Sequence, residues 1–379
     1  MDGSKLSKLQ ATREFSADPA RSYTLPAHLY YDPAIFDAER QAIFYRTWQY
    51  VAHLADLAEP GSYVATRIID QGVFVIRTGE GELKAFYNVC RHRAHELLAG
   101  RGKVRSIACP YHAWVYDLDG SLRTARGSGD MADFDRGEFC LNEVRLEVFG
   151  SFVFVNLDPD AAPLAEQAPD LLAELGEWAP WAAELVHGAS IDFDIKANWK
   201  NVIDNFLECY HCPVSHPAFC DIVEVPNYRS HTYGIHSTHL SPMRHGGKSV
   251  IPVGPDAEVA MGRFIYLWPN TTIVMFPGAR NISVLHIRPD GPERTLETMD
   301  FYFAETPISA AEAEAVKYID EVLNPEDIEI CESVQRGLHS HGYNQGRFVV
   351  DAQRTDVSEH ALHHFQNLVR EALGKAAGF

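Results

Sequence analysis

No apolar run in this chain approaches the ~18 residues that would span a bilayer. Its start, MDGSKLSKLQATREFSADPARS, also has no apolar signal-peptide core. Both absences lead us to expect a cytoplasmic protein that does not engage a membrane. Positive charge is scarce: 33 Lys and Arg stand against 52 Asp and Glu, a formal charge of −19. That deficit argues against binding nucleic acid or an anionic membrane, and an acidic surface suits solubility and a basic redox partner. Cysteine is sparse and odd in number, seven in all, so a disulfide framework is not expected in a cytoplasmic chain. A convincing glycine-rich dinucleotide fingerprint is missing too, so NAD(P)H or flavin would have to reside on another protein. There is no internal repeat and no low-complexity linker.

What is present suffices for two domains: 379 residues, 46% of them hydrophobic. Residues 1 to about 24 read as a weakly ordered arm. Asp32-Pro33 reads as an N-cap with proline at the first helical position, opening a helix to Trp48. From Tyr50 to Leu157 short β-branched and aromatic runs alternate with Gly/Asp turns, the pattern of a small all-β unit. Residues 163–185 read as helix. Strands return from Tyr228 to Phe303, Ser309-x-x-Glu312 is a capping box for a helix to Leu323, and Asn324-Pro325 restarts one. A last helix is expected over 357–374. The boundaries we expect are 1–48 and 158–379 for a larger α+β domain, with 49–157 inserted in it.

Two stretches carry metal-type spacing. Cys90-x-His92 is followed 16 residues later by Cys109-x-x-His112. Two thiolates can hold one iron of a [2Fe–2S] cluster while two imidazoles hold the other. A structural zinc site is the competing reading, but zinc fingers favour paired cysteines and paired histidines rather than one of each per loop. The second stretch, NWKNVIDNFLECYHCPVSHP, packs Asp204, Glu208, His211 and His216 together. Imidazoles with carboxylate oxygen suit a redox-active mononuclear iron with open positions for O₂. Asp204, Glu208 and His211 would share one helix face. Pro213 would end that helix, letting His216 fold back from the next turn. The Cys209-x-x-Cys212 pair invites a redox or zinc reading, although its helical, tyrosine-interrupted context is unlike a thioredoxin-type turn; mixed Cys/His zinc binding stays open.

NVCRHRAHELLAG and CPYHAWVYDLDGSL resemble the two ligand loops of a Rieske domain, and ECYHCPVSH resembles the catalytic iron motif of the Rieske non-haem iron oxygenases. The resemblance runs from the helix at 33–48 to that at 324–338. It implies an α+β chain, with an all-β Rieske domain inserted in a catalytic domain built on a curved antiparallel sheet covered by helices. It implies Cys90, His92, Cys109 and His112 as cluster ligands, with Trp114 shielding the cluster. His211 and His216 would ligate a mononuclear Fe(II), and Asp204 would stand behind them. Glu208 would bridge the iron to the Rieske histidine of a neighbouring subunit in a homotrimer. Many ring-hydroxylating members have Asp at that place; Glu occurs in members acting on quaternary ammonium compounds. The third ligand implied is Asp327, with Glu329 in reserve, although Asp in a helix first turn below Asn324 is favoured by the helix dipole anyway. Electrons would come from NAD(P)H through a separate reductase carrying flavin and a [2Fe–2S] ferredoxin domain.

For the substrate, the NWK…ECYHC and LWPNTTIVMFPG stretches look closer to oxygenases of choline, carnitine and betaines than to naphthalene-type dioxygenases. Tyr266, Trp268 and Phe276 are candidates for an aromatic cage around a quaternary ammonium group, against the plainer reading of sheet packing. The alternatives are an oxygenase hydroxylating or O-demethylating an aromatic acid, which would use Arg244, Arg280 or Arg288, and a plain electron-carrying Rieske protein.

Overall fold

The computed structural model of the chain describes residues 12–244 and 258–374. It divides into two compact units: Phe44–Glu184, and the flanking residues up to Ile43 and from Leu185 onward. The expected all-β insertion is therefore longer than 49–157. Residues 158–184 pack with it because Glu147 accepts the N–H groups of Leu164 and Ala165, both at 2.8 Å, and Trp48 Nε1 donates to the Ala162 carbonyl at 2.9 Å. Ala, Leu and Glu announced a helix here but not the sheet it would cover.

In the inserted unit seven strands form one antiparallel sheet, in which Gln49–His53, Phe152–Asn156, Glu143–Phe149, Leu83–Tyr87, Gln71–Arg77, Ser62–Ile68 and Arg101–Lys103 are successive neighbours. Three short strands, Ile107–Ala108, Val115–Tyr116 and Leu122–Thr124, form a second small sheet. Phe74, Phe86, Ile107, Trp114 and Tyr116 fill the space beside Cys90 and Cys109. The turn between the last two short strands needs glycine: Gly120 has φ +88, and a Cβ there would lie 2.4 Å from Phe86.

The larger unit is built on another seven-stranded antiparallel sheet. Val186–Ile195 lies beside Thr295–Phe303, which is followed by Asn281–Pro289, Thr271–Met275, Met261–Leu267, His236–Pro242 and Arg229–Tyr233. Val274, Leu285 and Met299 line one cavity with the Trp199–Phe206 and Asn324–Leu338 helices, whose Val202, Phe206, Asp327 and Cys331 complete the same walls. The first of these helices is anchored by Glu39, which is fully buried, accepts from Trp199 Nε1 at 2.9 Å and pairs with the Lys200 ammonium. Glu39 ends the Pro33–Glu39 helix, capped by Asp32 as read; a π-helical turn, Arg40–Phe44, follows where a regular helix to Trp48 was expected.

Two further expectations change. The arm is tied down from Arg13, whose N–H donates to Gln345 at 2.6 Å, and Phe15 stacks on His363; residues 1–11 lie outside the described residues. The Ser309/Glu312 capping box forms, but the helix does not stop at Leu323 and restart. A π-helical turn, Ile319–Leu323, runs straight into Asn324–Leu338, so Asn324 is helical (φ −64, ψ −39) rather than a cap. Pro325 has no N–H to offer the preceding turn, and the wider turn absorbs that loss. No helix among the described residues is long and apolar enough to cross a membrane.

Candidate metal centres

The two loops of the inserted unit close in the same way. The Cys90 N–H donates to the His95 carbonyl and the Ala94 N–H returns to Cys90; the Cys109 N–H donates to the Trp114 carbonyl and the Ala113 N–H returns to Cys109. Ala94 and Ala113 both sit in the left-handed region, at φ 57 and 56. Each loop thereby directs its cysteine inward, both thiols free and buried, and its histidine outward. The rings of His92 and His112 are 4.6 Å apart, and His112 Nδ1 is buried without a hydrogen-bond partner among the described residues. A buried imidazole nitrogen lacking a partner, beside two buried thiols, fits the donor set of a Rieske cluster. Trp114 stacks on His92 at 4.8 Å. Tyr116, which spacing alone did not single out, lies 3.4 Å from Cys90 Sγ through its hydroxyl and accepts the Arg91 N–H at 2.9 Å.

In the larger unit the helix ends at Phe206, two residues before Glu208. Asp204, Glu208 and His211 therefore do not share one helix face. Pro213 sits in the first turn of the short Cys212–Ser215 helix instead of ending the preceding one, with His211 at its N-cap and His216 just beyond its end. Glu208 organises the turn between: its carboxylate accepts the His211 backbone N–H at 3.1 Å and Nδ1 of the same residue at 2.5 Å. His216 contacts Glu326 Oε2 through Nδ1 at 2.8 Å and Asp327 Oδ1 through Nε2 at 2.9 Å. His211 Nε2 lies 3.5 Å from the same Asp327 oxygen. One donor atom from each of His211, His216 and Asp327 falls within 4.8 Å of the others.

Burial works to lower His211, but Asp327 and Glu208 outweigh it and push the imidazole up to about 10. Carboxylates thus surround the two rings and call for positive charge between them, a place protons and a metal ion would contest. Two imidazoles and one carboxylate, with the outer ring nitrogens held by Glu208 and Glu326, fit the donor set and outer support of a mononuclear non-haem iron. Glu326 was missed; its one sequence signal is adjacency to Asp327. Glu329 is exposed and stands apart from the cluster. Asp204 is hydrogen-bonded by Tyr30 at 2.7 Å and by Gln366 at 3.1 Å, and its hydrogen bonds reach neither histidine.

The cluster opens into a cavity of about 130 Å³ walled by Phe206, Tyr228, Phe264, Phe276, Leu285 and Met299. Glu208, Glu297 and Asp327 also line it, and no lysine or arginine does among the described residues. Of the three aromatic candidates only Phe276 is in this wall. Tyr266 donates to the Pro269 carbonyl and packs on Phe365, and Trp268 packs on Phe365 and Trp199. Tyr266 shares a sheet face with Phe264 but sits one pleat repeat further along, under the His360–Leu373 helix. Cys209 and Cys212, also in the wall, form a disulfide, so the expectation of no disulfide fails at this one local pair.

Residues 182–375 match the ring hydroxylating alpha subunit (catalytic domain) family, and residues 47–135 match the Rieske [2Fe-2S] domain. The carnitine monooxygenase oxygenase subunit of Escherichia coli (strain K12) is 38% identical over 360 residues, 94% of this chain and 96% of the relative. The chloroplastic choline monooxygenase of Spinacia oleracea is 30% identical over 368 residues, 94% of this chain and 79% of the relative. A solved quaternary ammonium Rieske monooxygenase superposes with a TM-score of 0.90 at 34% identity, covering 96% of this chain and 99% of that one. A catalytic-domain match over half of the chain, joined to a Rieske match and to relatives alike along 94% of this chain, leaves one conclusion: this chain belongs to the Rieske non-haem iron oxygenases, as an oxygenase subunit carrying both domains.

Proposed function

We propose that this chain is the terminal oxygenase of a multicomponent system and oxidises a small quaternary ammonium compound of the betaine or carnitine type. In this reading Cys90, His92, Cys109 and His112 hold the [2Fe–2S] cluster, and His211, His216 and Asp327 hold one Fe(II). When bound, the cluster supplies electrons singly and the iron supplies O₂ activation. The chain's own residues do the rest. Glu208 and Glu326 orient the two imidazoles, the Tyr116 hydroxyl faces the Cys90 sulfur, and the apolar wall keeps water from the substrate.

The observation that carries the substrate class is the cavity lining, aromatic and carboxyl-bearing with no lysine or arginine among the described residues. An aromatic acid would need a cation there. Arg244 is engaged by Asp221, Arg280 by Glu258, and Arg288 donates to Thr298 on the opposite sheet face. A quaternary ammonium needs the reverse, aromatic faces and negative potential. The relatives support the same class: two are named for carnitine and choline, and the solved quaternary ammonium monooxygenase bears on carnitine oxidation and inter-subunit electron transfer. A homotrimer with Glu208 at the electron entry, a reductase carrying flavin and [2Fe–2S], and a cytoplasmic location complete the proposal.

The test is turnover with reductase and NADH over a panel of betaines, choline, carnitine and aromatic acids. Substrate-dependent O₂ uptake is expected with quaternary ammonium compounds. Formaldehyde among the products would mark oxidation at N–CH₃, and a hydroxylated product without formaldehyde would mark another carbon. O₂ uptake with aromatic acids alone would overturn the substrate class.

A further inference from the structure

Glu297 stands on the Thr295–Phe303 strand, between Thr295, Met299, Phe301 and Phe303 on the same face. Its strand neighbours in register are Ile287 and Phe193. It is 6% exposed, it lines the cavity that holds His211, His216 and Asp327, and no group among the described residues hydrogen-bonds its carboxyl. The other carboxyls in the wall are committed: Glu208 to His211, and Asp327 to both histidines. A lone buried carboxyl with neither hydrogen bond nor counter-charge is a costly thing to place in an apolar wall. Burial first, and the charge of Asp327 second, push it up to about 8. A cation entering the cavity would act against both influences.

We infer that Glu297 is the specificity residue that separates a positively charged substrate from a neutral one of the same shape, its carboxylate acting as counter-charge to an ammonium group held against the aromatic wall. A quaternary ammonium has no N–H to donate. It is recognised by field and by aromatic faces rather than by hydrogen bonds, so a carboxylate without a hydrogen-bond partner loses nothing by serving it. Tyr228, Phe264 and Phe276 in the same wall supply the faces. The inference rests on the substrate class proposed above.

The experiment measures binding by calorimetry to the full iron-loaded chain without reductase, using cation and carbon-isostere pairs. Choline is paired with 3,3-dimethylbutan-1-ol, and γ-butyrobetaine, a ligand of a solved relative, with 5,5-dimethylhexanoate. The wild type should bind the better cation about a hundredfold more tightly than its isostere, the scale expected for a desolvated charge pair. Glu297→Gln should cut that ratio about tenfold or more, leaving only the preference the aromatic faces supply, at unchanged iron content and with affinity for the isostere kept. Glu297→Asp should restore part of the preference, which a merely structural role would not do. If Gln disturbs folding, Glu297→Leu, matched to neighbouring Leu285 and Met299, gives the same readout. A wild-type ratio surviving in the folded Gln or Leu variant overturns the role of Glu297 and leaves the substrate class standing. A wild type that prefers neither cation to its isostere overturns the substrate class, and this inference with it.

Discussion

The two cysteine–histidine loops repeat one local design, Cys90 to His95 and Cys109 to Trp114, each closed by two backbone hydrogen bonds of its own. The histidine–carboxylate cluster is assembled differently. Its histidines come from a turn after Phe206, and its carboxylates Glu326 and Asp327 come from a helix 110 and 111 residues further on. The loops are self-contained, so their ligands are set within a few residues. The cluster exists only when the Asn324–Leu338 helix docks beside the Trp199–Phe206 helix, and through the latter it depends on Glu39 as well. A substitution in the cluster should therefore unload one metal and spare the other.

The sharpest break of this contrast is Asp327→Ala. It should expel the mononuclear iron and bring turnover to background, while the visible absorption of the Rieske cluster and its two irons stay in place. Iron analysis and the visible spectrum read both sites at once. Loss of the cluster in this variant would mean that the two sites are not independent.

The same contrast governs what could be read before the fold was known. Cys90, His92, Cys109 and His112 were legible because their geometry is local and their spacing is short. His211 and His216 were legible as a pair, but the helix expected to carry Asp204, Glu208 and His211 on one face stops at Phe206, and hydrogen bonds from His211 to the Glu208 carboxylate hold the turn instead. Asp327 was reachable only through the resemblance to a family. Glu326, Tyr116 and Glu297 went unnoticed, since an acid beside an acid, a tyrosine two residues after a tryptophan, or a glutamate in a strand acquires its partner only in three dimensions. The aromatic candidates show the reverse error: Tyr266 and Trp268 have the right chemistry, but the C-terminal helix covers them.

A smaller effect tests the carboxylate behind His216. Glu326→Ala should leave all three proposed iron ligands in place yet weaken iron binding by roughly 10–100-fold, the usual cost of removing an outer hydrogen-bond partner. Competition with a chelator measures it. Unchanged affinity would reduce Glu326 to a bystander. Asp204 probes the helix that leads into the cluster. Burial pushes its carboxyl up to about 7, against the opposing hydrogen bonds of Tyr30 and Gln366. Below pH 4 both folded and unfolded chains carry the proton. Between about 4 and 7 only the folded chain does, so this group's contribution falls as pH rises, by at most about 1.4 kcal/mol per pH unit. Asp204→Asn should gain stability relative to wild type across that window, read from denaturant midpoints of the larger unit's transition. Parallel pH profiles for the two proteins would refute the shift.

The smallest expected effect lies on the other side of the comparison. Because the loops close through their own backbone, Tyr116→Phe should leave the cluster bound and its spectrum intact. What changes is the electrostatics at Cys90 Sγ, which loses the hydroxyl 3.4 Å away. Hydrogen bonds to the sulfur ligands favour the reduced, more negative cluster, so removing one should lower the potential. One such bond is worth about 1 kcal/mol, which for a one-electron couple corresponds to roughly 40 mV. Protein-film voltammetry or a redox titration followed in the visible would resolve a shift of that size. Loss of the cluster itself would show that the tyrosine holds the Cys90 loop together, and that the loops are less self-contained than their backbone closure indicates. A potential unchanged within error would show that the contact is one of packing.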